Sequence, residues 1–277
     1  MLYSIKSTRI IILILCLLFH IKYCNAGGEL RLAGARSASM GNSSIALTDI
    51  WAAFNNQAAL TGIASPTAGL FIENRFMLKE LGYMAAAYAY PYKSGIIAAN
   101  FSQFGFEAWK ENKVALSYTN SLYDHLALGV QLDYIMIHRD ENFGNLHYIT
   151  FEFGILSKIN KQITLGAHFY NPLNREISKT TNERSPSVLR LGGAYNVTKE
   201  FLLTAEVEKD IQQKVGFKCG MEYKLIPALH VRAGICSNPS TFCFGVGIFY
   251  RKLTMDFSSC YHQILGFTPQ TSLTITF

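Results

Sequence analysis

From Ala68 to Phe277 the chain is a succession of short segments in which apolar residues alternate with polar or small ones, the period of a strand with two unlike faces. The segments run 68–74, 80–90, 95–104, 112–120, 126–137, 146–158, 163–170, 187–196, 201–210, 214–224, 229–235, 241–250, 253–261 and 271–277. That makes about fourteen, an even number, each near the length of a tilted membrane strand. The last one, Leu273-Thr274-Ile275-Thr276-Phe277, ends on an aromatic residue with no polar tail. An apolar terminal strand exposes an edge in a soluble domain. In a closed barrel it pairs on both sides, and Thr271, Leu273, Ile275 and Phe277 face lipid. Phe277 is then expected to close the barrel seam and to form part of the signal read by the barrel-assembly machinery.

The first residues carry the pattern of an export leader. Lys6 and Arg9 precede an apolar run from Ile10 to Phe19, and small residues near Cys24, Asn25 and Ala26 place a cleavage site before Gly27. The run is too short for a comfortable helical span of about 20 residues. Cleavage takes away Lys6, Arg9 and Lys22 and lowers the net charge from +6 to +3, too little and too scattered to argue for nucleic acid. No later stretch has the roughly 18 apolar residues of a membrane helix. An exported, aromatic-rich chain of this kind is either a large soluble β-protein or an outer-membrane barrel.

Connection lengths separate the two. After even-numbered segments come short links at 91–94, 121–125, 159–162, 197–200, 226–228 and 251–252; after odd-numbered ones come longer links at 105–111, 138–145, 171–186 and 262–270. The brief odd links at 211–213 and 237–240 are exceptions. Short periplasmic turns alternating with longer outer loops are the habit of an up-and-down outer-membrane barrel. The expected fold is therefore all-β: a transmembrane antiparallel barrel of about fourteen strands, 67–277, in the cell outer membrane with both termini periplasmic and outer-membrane lipid around it.

The faces agree. Phe201, Leu203, Ala205 and Val207 alternate with Leu202, Thr204, Glu206 and Glu208, and Val215, Phe217, Cys219, Met221 and Tyr223 with Gly216, Lys218, Gly220 and Glu222. The inward set carries both signs: Asp133, Glu152, Arg190, Glu206, Glu208, Lys218, Glu222, Arg232 and Asp256. Glu206, Lys218, Glu222, Arg232 and Asp256 fall on neighbouring strands and are expected to form one ion-pair ladder in a filled lumen. Both faces of 81–90 and 95–99 are small or apolar, so that side is expected to meet the plug or a partner.

Residues 27–66 do not alternate. Thr48 or Asp49 is placed to cap one helix through Ile50, Trp51, Ala52, Ala53, Phe54, Ala58, Ala59 and Leu60, with Gly62 as its stop. It is apolar on much of its surface and too short to span, and a barrel of this size has room for it as a plug.

The stretch Ala35-Arg36-Ser37-Ala38-Ser39-Met40-Gly41-Asn42-Ser43-Ser44-Ile45-Ala46, followed by Asn56-Gln57-Ala58-Ala59-Leu60, resembles the amino-terminal signature of the PorV/PorQ family, relatives of the FadL-type long-chain fatty-acid channels. In that family A-R-x-x-x-M-G-x-x-x-x-A precedes an Asn-Pro-Ala-x-Leu element inside a fourteen-stranded barrel. Gln57 stands at the usual proline, and so the bend there is expected to differ. The resemblance implies a plug or hatch through Arg36, Met40, Gly41, Asn56, Gln57, Ala58 and Leu60. It also implies one of two jobs. PorV and PorQ-type members are partner barrels of type IX secretion that receive or hand over exported proteins, and a ladder-filled lumen favours that role. FadL-type members pass small hydrophobic molecules past an amino-terminal hatch.

No cofactor is expected. His168, His230 and His262 have no Gly-x-Ser-x-Gly nucleophile elbow to work with and no paired spacing for a metal, so no catalysis is expected. Four cysteines remain after cleavage. A Cys236–Cys243 disulfide across a short turn is the first candidate, Cys243–Cys260 the second, and free thiols the third, with Cys219 facing lipid.

Overall fold

The computed structural model describes residues 29–139, 144–174, 176–178 and 183–277, so the leader expected over 1–26 lies outside the described residues. Fourteen antiparallel strands close into one barrel. They are β1 (Thr67–Asn74), β2 (Gly82–Tyr92), β3 (Gly95–Phe106), β4 (Trp109–Tyr123), β5 (Leu126–Arg139), β6 (Leu146–Lys158), β7 (Ile163–Tyr170), β10 (Val188–Asn196), β11 (Phe201–Asp210), β12 (Gly216–Ile226), β13 (Leu229–Ser237), β14 (Ser240–Tyr250), β15 (Leu253–His262) and β16 (Gly266–Thr276). A small hairpin, β8 (Glu176–Ser178) with β9 (Glu183–Arg184), decorates the connection after β7. Each strand pairs with its sequence neighbour, and β16 returns to β1 with Thr67 opposite Thr276 and Leu70 opposite Leu273. No barrel edge is left to pair with another chain.

Strand phase sorts the side chains. Leu70, Leu116, Leu132, Phe217 and Phe257 lie on the outside and are exposed, while Asp133, Glu152, Arg190, Glu206 and Arg232 point inward and are buried. Among the described residues no helix is long enough to cross a membrane, whereas the strands present a continuous apolar exterior.

The length asymmetry of the connections is weaker than expected. The links at one end, 93–94, 124–125, 159–162, 197–200, 227–228 and 251–252, are all short, as anticipated. At the other end 105–111 and 262–270 shrink to 107–108 and 263–265, because β3, β4 and β16 run on. Phe106 pairs with Trp109 and Gly105 with Lys110, so polar residues that read as a loop belong to strands rising above the apolar band.

Residues 29–66 lie inside the barrel as short pieces. They comprise α1 (Ala35–Ser39), α2 (Ala52–Asn55) and a 3-10 helix (Gln57–Gly62). The single helix expected from Ile50 to Leu60 is broken at Asn56, whose backbone is extended at φ −166° and ψ 103°. Its side chain makes the break stable: Asn56 Nδ2 donates to Ile45 O at 2.7 Å and to Ile155 O at 3.1 Å, and Oδ1 accepts from Ala58 N at 3.3 Å. Neither expected cap holds the helix start: Trp51 stands at the cap position without a side-chain bond to the helix, and Asp49 Oδ1 accepts from Trp51 N at 3.0 Å in the turn ahead of it.

The apolar side of the plug packs on the small inward faces of β2 and β3. Trp51, Phe54 and Leu60 join Phe71, Tyr83, Ala85, Ala87, Ala89, Ile96 and Ala98 in one core. The apolar first strands thus face the plug. The two ends of the described chain lie at opposite mouths. Glu29 pairs with Arg75, just beyond β1, at 2.6 Å, while Phe277 N donates to Pro66 O at the short-turn end. The expectation of both termini on one side therefore does not hold for residue 29, because the segment ahead of α1 runs back up the lumen.

Candidate functional site

Three polar anchors tie the plug to the wall. In the first, Arg190 on β10 donates from Nη1 to Asn55 O at 2.7 Å, from Nη2 to Ser44 Oγ at 2.8 Å and from Nε to Glu206 Oε1 at 2.7 Å. Glu206 Oε2 then accepts from Ser44 N and Ile45 N at 2.9 and 3.0 Å. A guanidinium with no exposed surface is thereby satisfied on three edges, which is the condition for burying it.

The second anchor centres on Glu152 of β6. One carboxylate oxygen accepts from Gln57 Nε2 at 2.6 Å and contacts His168 Nε2 at 2.9 Å; the other accepts from Lys113 Nζ at 2.9 Å and Gln131 Nε2 at 3.1 Å. Thr119 Oγ1 donates to Gln57 O at 2.6 Å. Gln57 therefore makes a bond that proline has no group to make. His168, weighed above as a hydrolase residue, is an interior partner of Glu152.

The third joins α1 to the lower wall. Arg36 grips Glu222 with Nε and Nη2 at 2.9 and 2.7 Å and reaches Asp49 with Nη1 at 3.2 Å. Arg232 bridges Glu222 to Asp256, and Ser272 Oγ donates to Asp256 Oδ2.

The expected five-residue ladder is thus two knots. Glu206 and Lys218 belong with Arg190 and Glu208, while Glu222, Arg232 and Asp256 belong with Arg36. Met40 and Gly41 lie between them, pressed on the wall at Gly220 and Gly234. A Cβ built on Gly234 would overlap the Met40 backbone, so the plug approaches the strands where they carry no side chain. Ala58 sits in the same way against Gly129, and Leu60 is fully buried. Sequence reasoning missed Lys113, Gln131 and Thr119. Strand phase was the signal, since Lys113 shares its face with Ala115 and Ser117.

The disulfide is the second of the expected candidates, not the first. Cys243 lies directly opposite Cys260 and is bonded to it, with Cα atoms 4.1 Å apart. Cys236, the expected partner, pairs with Thr241, while Cys243 pairs with Gly234; the two cysteines are diagonal neighbours, and Cys236 keeps a buried thiol. Cys219 is free and exposed, as expected of an outward position.

Two hollows flank this packing. Above the plug, at the mouth opposite Phe277, a cavity of about 350 Å³ is lined by charges of both signs, among them Glu29, Arg31, Arg75, Glu208 and Lys218. On the outer wall an open apolar groove of about 810 Å³ runs over β7 and β10 to β14. Small residues Gly193, Ala205, Cys219 and Ala233 line it, together with larger ones such as Leu165, Met221 and Phe242. Gly220 and Gly234, which also line the groove, touch Met40 on the inner side.

A closed fourteen-stranded barrel filled by its own amino-terminal segment defines the FadL-type barrel fold. The toluene transporter TodX of Pseudomonas putida superposes with a TM-score of 0.65 at 12% identity, over 90% of this chain and 99% of that one. A FadL homologue from Pseudomonas aeruginosa gives 0.67 at 12%, over 91% and 100%. The Acinetobacter baumannii outer membrane protein Omp33 gives 0.52 at 8%, over 77% and 98%. No family profile matches the chain, and no curated protein sequence matches it at a significant level. At these identities the likeness concerns the fold.

Proposed function

We propose that this chain is an outer-membrane barrel that passes small hydrophobic molecules, with its amino-terminal segment as the hatch. The observation that carries the reading is the apolar groove of about 810 Å³ on the outer wall, separated from Met40 of the plug by backbone alone at Gly220 and Gly234. A hydrophobic molecule dissolved in lipid meets at that place a shaped apolar surface and, one residue behind it, a segment able to move. The likeness to barrels described as a toluene transporter and a monoaromatic hydrocarbon channel supports this reading. The apolar exterior supports the outer membrane, with the short turns and Phe277 on the periplasmic side and the Phe277 strand offered to the assembly machinery.

A second reading is a PorV/PorQ-type partner barrel for type IX secretion or surface assembly. It draws on the filled lumen, where Arg36, Gln57 and Arg190 are all engaged in holding the plug.

A lock on the hatch separates the two. A Cβ built on Gly69 lies 3.1 Å from Ile50 Cγ2, with only side-chain atoms as its nearest neighbours, so Gly69→Cys with Ile50→Cys is placed to bond plug to wall. In liposomes, uptake of a hydrophobic fluorescent tracer is expected to fall to background when this variant is oxidised. Reductant should restore it, while the unmodified protein is indifferent to reductant. Equal uptake by the oxidised variant would sink the hatch mechanism.

A further inference from the structure

The charges of the lumen are paired; those of the short-turn rim are not. Lys93, Lys158, Lys161, Lys199, Lys224, Arg251 and Lys252 all lie on the short links or on the strand ends beside them. Among the described residues none of the seven has an ion-pair partner, although Arg31, Arg36, Arg75, Lys113, Arg190, Lys218 and Arg232 elsewhere all do. The acidic side chains of that rim are Asp124 and Glu200. The opposite mouth is more evenly balanced, with Lys79 beside Glu80, Glu107 near Lys110, and Lys209 beside Asp210, where the collar has only Lys199 beside Glu200. Seven cations stand there against Asp124, Glu200 and the Phe277 carboxylate, and a collar with that excess and no ion pair of its own is suited to anions outside the molecule.

Depth says which ones. Just inside the collar the wall carries exposed Tyr92, Tyr123, Tyr195, Tyr223 and Tyr250. Such rings settle at the boundary between hydrocarbon and headgroups. The cations stay at the same level: Lys93 Nζ lies 5.2 Å from the Tyr92 ring centroid and Arg251 Cζ 5.4 Å from that of Tyr250. If the tyrosines mark the edge of the hydrocarbon, the collar stands among the phosphates.

We propose that the short-turn collar is a binding surface for the phosphate headgroups of anionic phospholipids in the leaflet next to it. The inference rests on the reading that the barrel spans a membrane. It goes beyond that reading by assigning the two ends different lipid preferences. Basic side chains near an anionic surface each contribute a fewfold gain in local lipid association, and the gain fades as salt shortens the Debye length.

The test uses the full chain in phosphatidylcholine vesicles with a trace of phosphatidylglycerol or phosphatidylcholine spin-labelled near the acyl-chain end. The motionally restricted fraction reports lipid held at the barrel wall. Phosphatidylglycerol is expected to be preferred roughly fivefold at low salt, with the preference gone at about 1 M salt. A variant with Lys93→Gln, Lys161→Gln, Lys199→Gln, Arg251→Gln and Lys252→Gln should lose it, and one with Lys79→Gln, Lys110→Gln and Lys214→Gln at the other mouth should keep it. Heat-modifiable migration on gels confirms that both variants are closed barrels. Equal restriction of the two lipids by the unmodified protein overturns the collar proposal alone and turns the rim toward an acidic protein. Loss of the preference in the second variant also overturns it. Absence of any restricted component removes the membrane reading along with it.

Discussion

Arg36 donates to both carboxylate oxygens of Glu222, at 2.9 and 2.7 Å, and so fastens helix α1 of the plug to strand β12 of the wall with a two-pronged grip. The paired geometry suits a guanidinium and not an ammonium. Arg36→Lys should therefore weaken the plug although it keeps the charge. Arg36→Ala and Glu222→Gln are each expected to cost about 2 kcal/mol, and the double variant less than the sum, because both changes remove the same ion pair. The temperature at which the folded band is lost on gels, followed through the double-mutant cycle, measures this.

Gln57→Pro restores the residue usual in the resembling family and should still fold. Asn56 is already extended, as the residue before a proline prefers, and position 57 opens a helical turn, where proline is tolerated. What is lost is the bond to Glu152. A cost of about 1–3 kcal/mol is expected, partly offset by up to about 1 kcal/mol from a stiffer unfolded chain. Gln57→Ala, which loses the bond without that offset, should come out less stable than Gln57→Pro in the same unfolding assay. The opposite order would mean that the backbone at 57 resists proline.

Gly154→Ala should be poorly tolerated. The added methyl would overlap Asn56 Oδ1, the atom that caps the 3-10 helix, and overpacking of this kind costs about 1–3 kcal/mol. Asn56→Ala in the same chain should recover part of the loss, since it removes the clashing atom. Protease sensitivity of the plug gives the readout. Independent effects of the two changes would show that the contact does not govern this site.

The cysteines offer a chemical check on register. Non-reduced peptide mapping should join the peptides of Cys243 and Cys260, and a membrane-soluble maleimide should label Cys219 in preference to buried Cys236. A Cys236–Cys243 peptide pair would require β13 and β14 to slip relative to the register that sets Cys236 opposite Thr241.

The barrel was legible because alternation is a local property: the face of Phe217 or Glu222 follows from its neighbours in the chain. The plug was legible as a segment and not as a shape. Its break at Asn56 depends on a bond to Ile155, 99 residues away, which no pattern within the segment records. The ladder failed for a related reason. Lys218 and Glu222 do share the inner face of β12, but Met40 comes between them at Gly220, and its path is set by glycines on two strands. The disulfide turned on the β14–β15 register, in which Tyr250 opposite Leu253 fixes Cys243 opposite Cys260, whereas nearness in sequence favoured Cys236.

The described plug is joined to the wall through residues 63–66 at one mouth, while Glu29 rests at the other. A pull applied to 63–66 therefore loads the fastenings one at a time, Gln57 and Asn56 first, Ser44 and Ile45 next, then Arg36, and last Arg31 on Glu111 and Glu29 on Arg75, as tape is peeled from a surface. A push spread over the whole plug from above strains all of them together, as a lap joint is sheared. Peeling needs far less force than shearing for the same set of bonds, so the plug resists a pull least from the short-turn side.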